Sequence, residues 1–218
     1  LHDLGCCRMC LADANLLAIR RLLSRSLSVA HSTTTPGPPL PPGHPSPSLL
    51  AKLHLHVYSL YDQARTLVKT VSLAGVNNLG GGGGGGAGAA GGGAGEMILP
   101  VRRYLSDGRT LALALSYKWL GVDAGEKVAS PPTTGDALGY LALAASELES
   151  LEDKDKGFRK GREAGKGRKG KVQEEKESTE AFRSAYKKVN DTVSRRALIR
   201  KIQLPSLHHD IEASFRDL

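Results

Sequence analysis

Cysteine is scarce in this 218-residue chain, and where it sits excludes more than its number does. Cys6, Cys7 and Cys10 are the complete set. They fall within ten residues of one end, and no second cluster exists to finish a four-ligand zinc site. Reduced thiols in a cytoplasmic protein are expected, with no metal or cofactor. Long apolar runs are missing too. Arg and Lys interrupt the Leu/Ala stretches before they reach the roughly 18 residues that a membrane span needs, which predicts a soluble protein. There is no charged n-region followed by an apolar h-region and a small-residue cleavage site. The chain opens on Leu1 rather than Met, the beginning expected of an incomplete gene product. β-branched residues rarely alternate with period two, and this leaves an all-α class.

What the chain does have is charge, glycine and leucine in separate places. The net charge of +8 is largely local: residues 154–171 hold nine Lys or Arg against Asp155 and Glu163. Residues 75–96 are nearly all Gly and Ala, whose backbone entropy opposes a fixed structure, and are read as a disordered insertion. Residues 31–47 are rich in proline, which removes donors and disfavours helix in the residue before it, and are read as a stiff surface connector.

Between these segments the apolar spacing is helical. A first helix over residues 4–27 is predicted to bury Leu4, Leu11, Asn15, Ala18 and Leu22 with Leu16 and Leu23. Ser48 is the expected N-cap of a second, carrying Leu50, Leu53, Val57, Leu60, Tyr61, Ala64, Leu67 and Val68. A third runs from near Met97 to Leu120, and its second half, T-L-A-L-A-L-S-Y-K-W-L, is apolar nearly all round, so it is expected to pack between neighbours. A fourth presents Leu138, Leu141, Ala142, Ala145, Leu148 and Leu151, and a fifth, over residues 172–193, presents Ala181, Phe182, Ala185, Tyr186 and Val189. The third and fourth form the clearest hairpin, in which Ala112, Ala114, Gly121, Ala142, Ala144 and Ala145 permit close approach.

Motifs for chemistry are weak. The glycine run contains G-x-G-x-x-G without a flanking strand or a G-K-[ST], and G-K-G-R-K-G at 165–170 lacks the hydroxyl residue as well. His54 and His56 diverge on a helix, while His208 and His209 lie in a polar tail. Asp123 and Glu126 have no nucleophile or oxyanion donor near them in sequence. Residues 121–126 are therefore read as helix termination at Gly121 followed by a polar turn. No enzyme is expected.

The stretch A-L-A-L-S-Y-K-W-L-G-V-D-A-G-E (112–126), followed by G-D-A-L-G-Y-L-A-L-A-A-S-E-L-E-S-L (135–151), resembles the helical hairpin of Bro/Alix-type (Bro-one) domains. Within that group it is most similar to fungal PalC-type pH-response regulators. Residues 47–65 and 186–193 match in addition, and Trp119, Gly121, Asp123, Gly125 and Glu126 form the most specific signature. The resemblance implies an elongated helical solenoid or bundle with a TPR-like hairpin. It covers residues 1–193 as part of such a domain, an incomplete C-terminal portion, and leaves 194–218 as an atypical tail. The function it implies is a non-enzymatic adaptor of ambient pH signalling. Such an adaptor binds the C-terminal amphipathic helix of an ESCRT-III filament subunit and other pathway components, and supports proteolytic activation of the transcription factor PacC at alkaline pH. It would be cytoplasmic and recruited to the plasma membrane or endosome by peripheral association, with no nucleic acid expected. Two alternatives remain at this level. One is a nucleic-acid or anionic-membrane binder using residues 154–171, whose affinity would fall with salt. The other is a generic helical scaffold.

Overall fold

Apolar residues at three- and four-residue spacing, with no period-two pattern to compete, produce five α-helices among the described residues. The computed structural model describes residues 2–29, 38–77, 92–127, 133–156, 166–189 and 191. The helices are α1 (His2–Val29), α2 (Pro47–Asn77), α3 (Gly92–Glu126), α4 (Thr133–Lys156) and α5 (Lys166–Val189), and no strand occurs among the described residues. Each packs on the next in chain order, and α5 also touches α3. This is the all-α helical packing expected. Residues 78–91 of the glycine-rich segment, 157–165 of the basic segment and 192–218 of the tail lie outside the described residues.

The first helix turns a different side inward than its spacing predicts. Its buried line is Gly5, Ala12 and Ile19, with Met9, Leu16 and Leu23 packed beside them, whereas Leu4, Leu11 and Leu22 are exposed. Because α1 is apolar on two sides, periodicity could not choose between them. A polar anchor does. Tyr61 of α2 and Tyr104 of α3 both donate to Asp13 Oδ1, at 2.6 and 2.7 Å, and rolling α1 to bury Leu4 and Leu11 would take that carboxylate away from both phenols. Burial, followed by the Asp13 hydrogen bond, raises the Tyr61 pKa far above the ordinary phenol value, so the Tyr61 hydroxyl remains a donor.

Helix α2 begins two residues earlier than expected. Ser46, not Ser48, is the cap: its carbonyl accepts from Leu50 N at 3.1 Å, and Pro47 occupies the first helical position, where its missing N–H costs nothing. Part of the proline-rich connector is also not a surface feature. Leu40 packs against the core, and the His44 ring lies over Trp119 with centroids 5.2 Å apart. Helix α2 is then fixed to α3 by Arg109, which donates to Tyr58 Oη at 2.6 Å, sits 2.8 Å from Asp62 Oδ1 and covers the Tyr58 ring at 4.7 Å.

Helices α3 and α4 meet through Ala112, Val122, Ala137, Leu138 and Leu141 in the main core, while Ala114, Leu148 and Val172 of α5 form a second cluster. A fully buried leucine such as Leu141 contributes about 1.5–3 kcal/mol. Helix α5 starts at Lys166, inside the segment read as linker, and turns Val172, Thr179, Phe182 and Tyr186 inward. Ala181 and Val189 of its predicted stripe are exposed. The polar residue Thr179 could join the buried line because its Oγ1 donates to the Glu175 carbonyl at 2.7 Å.

Candidate functional site

Residues 121–126 are helix, not turn: α3 continues to Glu126 and ends as Lys127 N donates to the Asp123 carbonyl at 3.3 Å. Gly121 and Gly125, one helical turn apart, act as notches for neighbouring helices. A Cβ on Gly121 would stand 2.7 Å from Leu141 Cγ and 3.0 Å from the Ala137 carbonyl oxygen of α4. A Cβ on Gly125 would collide with the Tyr186 ring of α5. Tyr186 then reaches past Gly125 to donate to Glu126 Oε1 at 2.8 Å. Its burial, and after that this carboxylate, raise the phenol pKa far above normal. Asp123 pairs with Lys127 at 2.6 Å. Both carboxylates thus serve local helix contacts, and the segment is a three-helix joint.

Trp119 belongs to a different place. Two turns back along α3, a cleft of about 240 Å³ opens between α1 and α5, with α2 and α3 as its floor. Leu16, Ile19 and Leu23 of α1 form one apolar wall. Leu111, Leu115 and Trp119 of α3 form the base, and Lys171, Glu174 and Glu175 of α5 line the far side. Arg20 stands at the rim of α1.

Two polar groups are built into this floor. Lys118 is 1% exposed, an expensive position for an ammonium, and donates to Glu175 Oε2 at 2.7 Å while lying 5.1 Å from the Trp119 ring centroid. The pair bridges α3 and α5 and so holds the cleft's width. His54 of α2 is buried, and its Nδ1 has no hydrogen-bond partner. Burial pushes its pKa down to about 4, with Lys118 and Arg20 adding to the effect and Glu175 opposing it. The ring is therefore neutral near pH 7. His44, whose Nδ1–H donates to the Pro45 carbonyl at 2.7 Å, is likewise held below its ordinary pKa by burial.

The five signature residues therefore do not converge. Trp119 faces the cleft, Gly121 faces α4, Gly125 and Glu126 face α5, and Asp123 faces its own helix end. Lys118 and Glu175 were not singled out from the sequence, and His54 was read there only as one of two histidines that diverge on a helix. The available signal was Lys118 itself, an ammonium inside an apolar run whose neighbours on every side had to be buried. The arrangement has the chemistry of a binding surface: an apolar base and α1 wall, with the Lys118–Glu175 pair and the charged residues of α5 and the α1 rim around them. Among the described residues no group of three or more His, Cys, Asp or Glu could hold a metal ion, and no helix is long and apolar enough to cross a membrane.

No family model matches the chain, and no solved structure matches it. Among curated proteins, the "pH-response regulator protein palC" of Cryptococcus neoformans var. neoformans serotype D (strain B-3501A) is 40% identical over 203 residues. That match covers 84% of this chain and 41% of the relative, so the chain spans less than half of that protein's length.

Proposed function

Because its sequence is of the palC type along most of its length, we propose that the chain works as a non-enzymatic adaptor of fungal ambient pH signalling. In this reading it binds the C-terminal amphipathic helix of an ESCRT-III filament subunit, and other pathway components gather on the complex. The assembly supports proteolytic activation of PacC at alkaline pH, on a cytoplasmic protein recruited to the plasma membrane or endosomal surface. One observation carries the reading: the cleft between α1 and α5, whose Leu16, Ile19, Leu23, Leu111, Leu115 and Trp119 offer an apolar floor. A helix laid along such a cleft inserts anchors at i, i+3, i+4 and i+7, and its polar face remains with the charged walls.

The experiment is a pull-down of the purified chain with an immobilised ESCRT-III C-terminal helix. It is run with wild type, with Leu111→Glu in the cleft base, and with residues 157–165 deleted. Capture by wild type and by the deletion, with loss in Leu111→Glu, is expected. A chain that is helical by circular dichroism yet captures nothing would sink the reading. Capture that disappears only with the deletion would move the activity to the basic segment.

A further inference from the structure

We propose that residues 206–218 fold back into the cleft between α1 and α5, so that the free chain fills this surface with a segment of its own. The lining defines what fits. Leu111, Leu115 and Trp119 at the base and Leu16, Ile19 and Leu23 on the α1 wall call for apolar side chains. The two rims call for carboxylates. Arg20 on α1 and Lys171 on α5 are exposed, and among the described residues neither is held in an ion pair. Lys118 is already paired with Glu175, and Glu174 is the other acid of the lining. An occupant with one apolar stripe and acids on both of its flanks matches this arrangement.

The tail sequence holds two apolar stretches separated by Pro205, and charge chooses between them. Residues 195–204 carry Arg195, Arg196, Arg200 and Lys201, which cationic rims repel. Residues 206–218 read S-L-H-H-D-I-E-A-S-F-R-D-L, with Asp210, Glu212 and Asp217 against Arg216. Serine directly after proline is a helix-start signal. On a helix built from this segment, at 100° per residue, Leu207, Ile211, Phe215 and Leu218 fall within an arc of about 80°. Asp210 and Asp217 then lie about 60–80° beyond one edge of the arc, and Glu212 about 60° beyond the other. The acids flank the stripe as the cations flank the cleft. Leu207 to Phe215 would span about 12 Å of helix, the same length as Leu111 to Trp119 along the cleft base.

The connection is long enough. Val189, where α5 ends, lies about 21 Å beyond Glu175 along that helix, whereas residues 190–205 reach up to about 50 Å when extended. A short tether gives an effective concentration of about 1 mM, so a segment with a Kd of only about 0.1 mM would fill the cleft roughly nine-tenths of the time. Such occupancy lowers the cleft's apparent affinity for any other helix by about tenfold. The inference shares the cleft with the adaptor reading but depends on no outside partner, so either can fail alone.

The test is energy transfer within the full chain from Trp119, the single tryptophan, to a dye on the tail. Cys6, Cys7 and Cys10 are changed to Ser, and Ala213→Cys, on the side away from the stripe, carries the dye. Strong transfer, independent of chain concentration, is expected. It should be lost in Ile211→Asp/Phe215→Asp and in Arg20→Glu/Lys171→Glu, each with unchanged circular dichroism. Adding Asp210→Lys/Glu212→Lys to the second pair should restore it. Weak transfer in the parent chain, or transfer that survives both pairs, overturns the proposal. Transfer that rises with concentration overturns it too, since the tail then sits on a second copy. In a parallel pull-down with the ESCRT-III helix, Ile211→Asp/Phe215→Asp should bind about tenfold more tightly than wild type. Capture by neither chain, with intramolecular transfer intact, would count against the adaptor reading and support this one.

Discussion

Helix α3 joins two regions built on opposite principles. At its C-terminal end Gly121 and Gly125 let α4 and α5 approach until backbone and ring are in contact, and no space is left. Two turns earlier the same helix keeps α1 and α5 apart around a cleft, with a buried ion pair as the spacer. The closed joint resists any added atom, and the open cleft resists any lost charge. Substitutions can separate these two behaviours.

The largest effect is expected at the spacer. Glu175→Ala leaves the buried Lys118 ammonium unpaired and should cost about 3–5 kcal/mol, read as a lower urea midpoint. The double change Lys118→Met/Glu175→Leu should recover most of the loss, because the charge is removed along with its partner. Acid should act next, through the same floor. The folded-state pKa of His54 lies below its unfolded value, so its neutral form is favoured by folding. That stability is complete above pH 6.5 and declines as pH falls toward about 4. Over that window the loss should be roughly 3 kcal/mol. In His54→Asn the dependence of Tm on pH should be flatter over that interval.

In the closed joint, Gly125→Ala should destabilise by about 1–3 kcal/mol, since its Cβ has no room beside Tyr186. Gly170→Ala in α5, where nothing lies within 4 Å, should instead stabilise by roughly 0.5–1 kcal/mol. Opposite signs for one chemical change would separate contact from helix propensity. Tyr186→Phe should cost about 1 kcal/mol through the lost hydrogen bond to Glu126, with the ring still in its notch.

The existence and order of the helices were legible in the sequence because each carries a 3-4 apolar rhythm between segments that cannot sustain one. Which face turned inward was less so. In α1 two apolar sides compete, and Asp13, which decides between them, has partners 48 and 91 residues away. Gly121 and Gly125 read as a helix end because glycine commonly follows one. Their four-residue spacing, the mark of a small-residue contact face, carried the opposite meaning. The five signature residues share one segment, although they serve four different places: the cleft, α4, α5 and the end of α3 itself. The cleft was invisible for a related reason: its residues come from four helices, and only packing brings Leu16, His54, Trp119 and Glu175 to one place.

The chain holds a single tryptophan, and it lies in that cleft, so Trp119 emission during titration with an ESCRT-III C-terminal helix tests the central claim most directly. A saturable change in wild type, kept in Tyr186→Phe and abolished in Leu111→Glu, is the predicted result. Binding of equal affinity in all three chains with no change in Trp119 emission would contradict it.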